Sequence, residues 1–296
     1  MPPEPFPVLV HPFLGPTPRS CAYEAGSPTS RNALVFIGGL GDGPHTVPYV
    51  RALASRLQSE PALSYSLFEV RLSSAFGGFG YRRLADDVAD LAALVRHLRG
   101  ALGRDRVVLL GHSTGCQDCM EYTDYAKHGA EPVDGFILQG PVSDREAFGP
   151  LVPKEELEAG VAKAAELVGS GQGDTIMPRD KLSEMFDTPI TAYRYHSLLA
   201  PGGDDDFFSS DLPDDKVASF WSKFQKPVLV LPSGEDEHVP KSIDVPKLLA
   251  RWASLAPDGI VSDLSGLIPG ASHTVKSPES REWMADRVVR FLSSLK

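Results

Sequence analysis

Apolar and polar positions along this chain fall into short apolar runs separated by stripes at helical spacing. Residues 33–37 (ALVFI), 107–110 (VVLL), 135–139 (GFILQ) and 227–232 (PVLVLP) are near-continuous apolar runs of strand length, the pattern of strands covered on both faces of a parallel sheet. Residues 65–70 supply another strand, the short apolar pieces at 8–10 and 21–23 read as edge strands, and residues 260–268 give a weaker last strand. Between the runs, residues 47–57 are helical in pattern, and Leu84, Val88, Leu91, Val95 and Leu98 mark one face of a second helix. Trp283, Val288, Phe291 and Leu292 mark the inner side of a closing helix over 281–295. Strand, helix, strand alternation predicts a mostly parallel central sheet flanked by helices. The alternation stops between residues 143 and 225, where an amphipathic segment at 155–168, a glycine-rich break at 169–173 and scattered aromatic residues replace it.

The run at 107–110 breaks into Gly111-His112-Ser113-Thr114-Gly115 and then continues at helical spacing. Gly-x-Ser-x-Gly between a strand and a helix is a nucleophile elbow: the tight turn lifts the serine hydroxyl above the sheet, and the glycines stand where side chains would collide. The plain alternative is a glycine-rich strand-to-helix turn, but the flanking strand and helix supply the context the motif requires. The expected fold is that of an α/β-hydrolase. Its core is residues 1–142 and 226–296, interrupted between strands six and seven by a lid or cap insertion, residues 143–225.

A serine hydroxyl is a weak nucleophile until an imidazole takes its proton, and a carboxylate must hold that imidazole in the right tautomer. In this fold the chain order is Ser, acid, His. Asp236, in the turn after the strand that follows the insertion, and His273, in the loop after the last strand, complete that order with Ser113. Glu235 and Glu237 could serve by residue type, but Gly-x-Asp-x-x-Val-Pro puts Asp236 on the turn; His238 is a rival base that precedes any further strand. Gly38-Gly39-Leu40-Gly41-Asp42-Gly43 reads as an oxyanion loop, with the amides of Leu40 and Thr114 as its donors. A phosphate-binding loop competes, without the Gly-Lys-Ser/Thr ending it needs. The segment 72–80 (LSSAFGGFG) either borders the ligand crevice or is a simple turn. Gly39, Ser74, Phe76 and His112 are the candidate substrate contacts.

Composition narrows the choice of partners. A net charge of −10 over 296 residues repels phosphate backbones, so nucleic acid is not expected as a partner. Much of the acidity is crowded into residues 204–215, which read as a solvated loop. No apolar run approaches the roughly 18 residues of a membrane span, and the N-terminal residues do not look like a secretory signal, so the expected compartment is the cytosol. Cys21, Cys116 and Cys119 are an odd set, which argues for reduced thiols; the Cys-x-x-Cys pair lies on the elbow helix and reads as small buried side chains rather than a redox or zinc site. Neither a metal nor a cofactor is expected.

The quoted motifs carry a resemblance. Phe36-Ile37-Gly38-Gly39-Leu40-x-Asp42-Gly43 with Pro48-Tyr49, then Ser73-Ser74-x-Phe76-x-Gly78-Phe79-Gly80, Leu110 through Asp118, Ser233-Gly-x-Asp236-x-x-Val239-Pro240 and Ser272-His273 together resemble the fungal and plant α/β-hydrolase family that includes the fungal siderophore (fusarinine C) esterase. One departure is Gly41, where that family's pattern has Thr. The resemblance implies hydrolysis of a small-molecule ester, a hydroxamate siderophore or its ferric complex, in the cytosol. Two other classes stay open: a thioesterase, lipase or lactonase on the same three residues, and a hydrolase-fold binding protein without activity.

Overall fold

The computed structural model describes residues 5–179 and 181–295. Seven strands, β1 (Leu9–Pro12), β2 (Cys21–Ala25), β3 (Asn32–Ile37), β4 (Tyr65–Val70), β5 (Arg106–His112), β6 (Gly135–Gln139) and β7 (Val228–Leu231), form one sheet in the order β1-β2-β4-β3-β5-β6-β7. β1 and β2 pair antiparallel at one edge; the strands from β4 across to β7 run parallel. Every position of β3, β6 and β7 is buried, as their unbroken apolar runs require.

Both faces are covered because successive strand residues point to opposite sides. Leu34, Phe36, Val108 and Leu110 pack with α1 (Tyr49–Gln58) and the closing helix, whereas Val35, Leu109, Phe136 and Leu138 pack with α2 (Leu84–Gly100) and α3 (Gly115–Tyr122). A short α4 (Tyr125–His128) follows the elbow helix. Cys116 and Cys119 of α3 are fully buried thiols in that second face, and burial pushes both well above their ordinary pKa.

Between β6 and β7 the described chain adds helices and no strand to the sheet: α5 (Asp144–Phe148), α6 (Lys154–Gly169), α7 (Lys181–Phe186), α8 (Ala192–Leu199) and α9 (Asp214–Trp221). This interval does not pack as one unit. Val152, Ala164, Met177, Ile190, Tyr195 and Leu198 form a small core of their own, with Leu40 against it. Phe207, Phe208, Val217, Trp221 and Phe224 instead join the main core beside Trp252 of α10 (Val245–Leu255). The acidic stretch is only partly solvated, contrary to the sequence reading. Asp205 is buried because Arg194 of α8 pairs with it at 2.7 Å, and Asp206 because Gly202 N–H and Ser209 donate to it.

The last strand expected at 260–268 does not form. Only single bridges remain, Val228 to Val261 and Ser233 to Ile268. The segment stays beside β7, with Ser262 and Gly266 N–H donating to Val228 O and Val230 O at 2.8 and 3.1 Å, but Ser265 Oγ, not a main-chain carbonyl, accepts the Val230 N–H at 3.0 Å. α11 (Pro278–Ser294) then closes the first face, with Val288, Phe291 and Leu292 buried and Trp283 half-buried beneath the Arg287 guanidinium. No helix among the described residues is long and apolar enough to cross a membrane.

Candidate active site

β3 and β5 are neighbours, so the loops at their carboxyl ends meet at the reversal of strand order, where open α/β sheets bind ligands. Ser113 follows β5 with φ 54°, a left-handed conformation that costs a non-glycine residue roughly 1–3 kcal/mol. The surrounding packing forces it. A Cβ on Gly111 would lie 2.2 Å from Gly115 O, and one on Gly115 2.3 Å from Ile37 O, so the elbow can sit this close to β3 only with glycine at both places. Ser113 N–H donates to Gln139 O at 3.0 Å, which ties the turn to the end of β6.

His273 and Asp236 come together as the sequence predicts. His273 Nδ1 lies 2.8 Å from Asp236 Oδ2, and the two side chains are 6% and 2% exposed. Asp236 Oδ1 accepts the His238 N–H at 3.0 Å. Of the flanking carboxylates, Glu237 accepts the main-chain N–H of His273 at 2.7 Å and Glu235 is exposed, so the ring of His273 meets Asp236. That ring stands between two other histidines, with centroids 4.9 Å from His112 and 4.6 Å from His238. Ser113 Oγ makes no hydrogen bond among the described residues; such contacts commonly tighten only with substrate present.

Gly39 presses on the serine, since a Cβ there would be 2.6 Å from Ser113 Cβ. Asp42 holds that loop by accepting Gly39 N–H at 2.9 Å, and Leu40 N–H donates to Thr114 Oγ1 at 3.1 Å. The segment 72–80 is fixed rather than a loose turn: Ser73 and Ser74 N–H donate to Asp90 and Asp87 of α2, and Phe76 N–H to Asp42 O. Phe76 is 53% exposed, its ring over Gly43. Ser74 is half-buried beside it.

His112 departs from expectation. It is 2% exposed, behind the serine, and its Nδ1 donates to Gln139 Oε1 at 2.5 Å, so it faces the packed interior rather than a substrate. Burial, reinforced by His273 nearby, lowers its pKa to about 4 and keeps it neutral. Gln139 was missed by sequence reasoning although it is a polar residue ending an apolar run. It is fully buried, and its Nε2 donates to Ser233 Oγ and His273 O at 3.2 and 3.3 Å, so one amide links the loops after β5, β7 and residue 268. Also missed was a buried acid cluster beneath α8. Arg194 Nε donates to Phe79 O at 3.0 Å while its guanidinium pairs with Asp205, and Asp87, Asp118 and Asp144 crowd around it. Burial raises Asp87 to about 7, Asp144 to about 8 and Asp118 well above the carboxylate range.

The sheet, the elbow and the flanking helices are those of an α/β-hydrolase. Siderophore hydrolase EstB from Aspergillus fumigatus has a solved structure matching this one with a TM-score of 0.82 at 29% identity, over 100% of this chain and 99% of that one. Fusarinine C esterase sidJ from Aspergillus fumigatus is 30% identical, over 92% of this chain and 92% of that protein. Esterase AN6793 from Emericella nidulans is 31% identical, over 99% of this chain and 94% of that protein. By fold and by these relatives the chain is an esterase of α/β-hydrolase type. It belongs to the family described as "Protein of unknown function (DUF1749)", which its residues 1–293 match.

Proposed function

We propose that this chain is a serine esterase that cleaves the ester bonds of a fusarinine-type hydroxamate siderophore in the cytoplasm, with Ser113 as nucleophile, His273 as base and Asp236 as the carboxylate that orients it. The observation that carries the reading is the 2.8 Å pair of His273 Nδ1 and Asp236 Oδ2, buried next to an elbow that holds Ser113 at φ 54°. With its proton on Nδ1, His273 has Nε2 free to accept the Ser113 proton as Oγ attacks the ester carbonyl. The carbonyl oxygen becomes an alkoxide that the main-chain N–H groups of Leu40 and Thr114 stabilise. His273 then returns the proton to the departing alcohol, leaving an acyl group on Ser113. Water, deprotonated by the same imidazole, releases the acid and restores the hydroxyl. Neutral His112 at the back of the His273 ring adds no competing charge, and Gln139 fixes the height of the loop that carries it.

The substrate class rests on the relatives named for siderophore and fusarinine C hydrolysis. The separate small core from Val152 to Leu199, with Leu40 packed against it, would act as the cap over the serine. The test is mass spectrometry of products after incubating the purified protein with fusarinine C, with its ferric complex, and with a short p-nitrophenyl ester. Linear and monomeric hydroxamates are expected. Intact cyclic ester beside rapid cleavage of the p-nitrophenyl ester would reject the siderophore substrate and leave a serine esterase, thioesterase or lactonase of other specificity.

A further inference from the structure

A threonine at the start of a helix is ordinarily an N-cap, its oxygen accepting amides of the first turn. Thr114 opens α3 with φ −59° and ψ −21°, yet its side chain makes no capping bond. Oγ1 reaches the other way and accepts the N–H of Leu40, at 3.1 Å, on the loop after β3. That loop presses against Ser113 through Gly39, where a Cβ would stand 3.2 Å from Ser113 Oγ, so Leu40 N–H and Thr114 Oγ1 meet at the flank of the serine. Thr114 is buried, 6% exposed, and among the described residues neither its hydroxyl proton nor its main-chain N–H has an acceptor. A buried hydroxyl that accepts one hydrogen bond and donates none is polarised and short of a partner.

We propose that the Thr114 hydroxyl is the oxyanion donor through which Leu40 acts, beside the Thr114 main-chain N–H: Leu40 N–H donates to Oγ1, and Oγ1–H donates to the substrate carbonyl oxygen as it becomes an alkoxide. No proton is transferred; the hydroxyl keeps its hydrogen and offers it to the developing charge. Accepting from Leu40 makes it a stronger donor, and a pre-aimed donor in a site shielded from water acts on the transition state more than on bound ester. The relay also reconciles two roles of Leu40, whose amide is engaged in the resting enzyme while standing in the oxyanion loop. The proposal rests on Ser113 being the nucleophile.

Thr114→Val keeps the shape and removes only the hydroxyl; Thr114→Ser keeps the hydroxyl; Thr114→Ala serves in place of the valine variant if that one melts early. For each full-length protein, kcat and KM on a p-nitrophenyl ester, the affinity of a trifluoromethyl ketone that forms a tetrahedral adduct, and fluorophosphonate labelling of Ser113 are measured. The relay predicts that Thr114→Val lowers kcat by about 10- to 100-fold with KM changed less than about threefold, and weakens the ketone by a similar factor. Thr114→Ser should recover most of the loss. A kcat for Thr114→Val equal to or above the parent's, or a fall without any change in ketone affinity, overturns the relay and makes Thr114 a placeholder that merely occupies the Leu40 amide. The nucleophile is read separately: parent protein that takes up no fluorophosphonate at Ser113 removes the basis of the whole reading, whatever the threonine variants do.

Discussion

Ser113 holds a left-handed backbone without being glycine, and strain of that kind persists only where surrounding contacts enforce it. The elbow was legible because Gly-x-Ser-x-Gly encodes those contacts directly, and the Asp236–His273 pair because chain order and turn placement left few rivals. His112 was misread because its neighbourhood in sequence is the elbow, while its ring follows the strand direction into the interior, where Gln139 holds it. Asp236→Asn is expected to lower kcat by about 10⁴ by favouring the wrong imidazole tautomer, whereas Glu235→Gln, at an exposed position, should cost less than about tenfold. Steady-state kinetics of the two variants decide it, and the reverse ranking would reassign the carboxylate. Gly39→Ala, which sets a methyl carbon against Ser113 Cβ, should abolish most turnover with little loss of thermal stability, since the collision is with the serine and His112 O rather than with the core. An alanine variant of full activity would show that the loop stands farther from the serine than described.

At the scale of elements, apolar runs predicted the buried parallel strands well because both faces of β3, β5, β6 and β7 are covered. They failed at 260–268, where a serine side chain replaces a ladder acceptor, a side-chain event invisible to periodicity. The stretch 204–215 failed for a related reason: composition says solvated, but Arg194, on α8 before it in the chain, supplies a buried counter-charge. Arg194 joins three elements, since its guanidinium holds Asp205 and Phe79 O while Thr191 N–H donates to Gly80 O at 2.8 Å, pinning α8 over the segment 72–80. Arg194→Met should therefore destabilise by roughly 3–5 kcal/mol, because Asp205 is left as an uncompensated buried charge. The double change Arg194→Met with Asp205→Leu should recover much of that loss. Urea unfolding measures both, and an unaffected single variant would place the guanidinium outside the packed interior.

For the whole molecule, pH is the informative variable. Burial raises Asp87 to about 7 and Asp144 to about 8, so the native state keeps protons that an unfolded carboxyl releases near pH 4. Both groups are protonated in either state at lower pH, where their contribution is complete, and it is lost as pH climbs toward 7 and 8. Stability should fall across that window by up to about 1.4 kcal/mol per pH unit for each titrating group. Asp144→Asn removes one such group while leaving Gln117 a partner, and should flatten the decline between pH 5 and 8; equal slopes in urea unfolding would show that Asp144 ionises normally. The central claim is chemical, however: that one serine carries the acyl group. Its most direct test is peptide mass spectrometry after fluorophosphonate treatment of the parent protein and of Ser113→Ala. The account predicts a single adduct on Ser113 in the parent, none in the variant, and a loss of ester hydrolysis in the variant on the order of 10⁴- to 10⁶-fold. An adduct on another residue, or undiminished hydrolysis by Ser113→Ala, would contradict it.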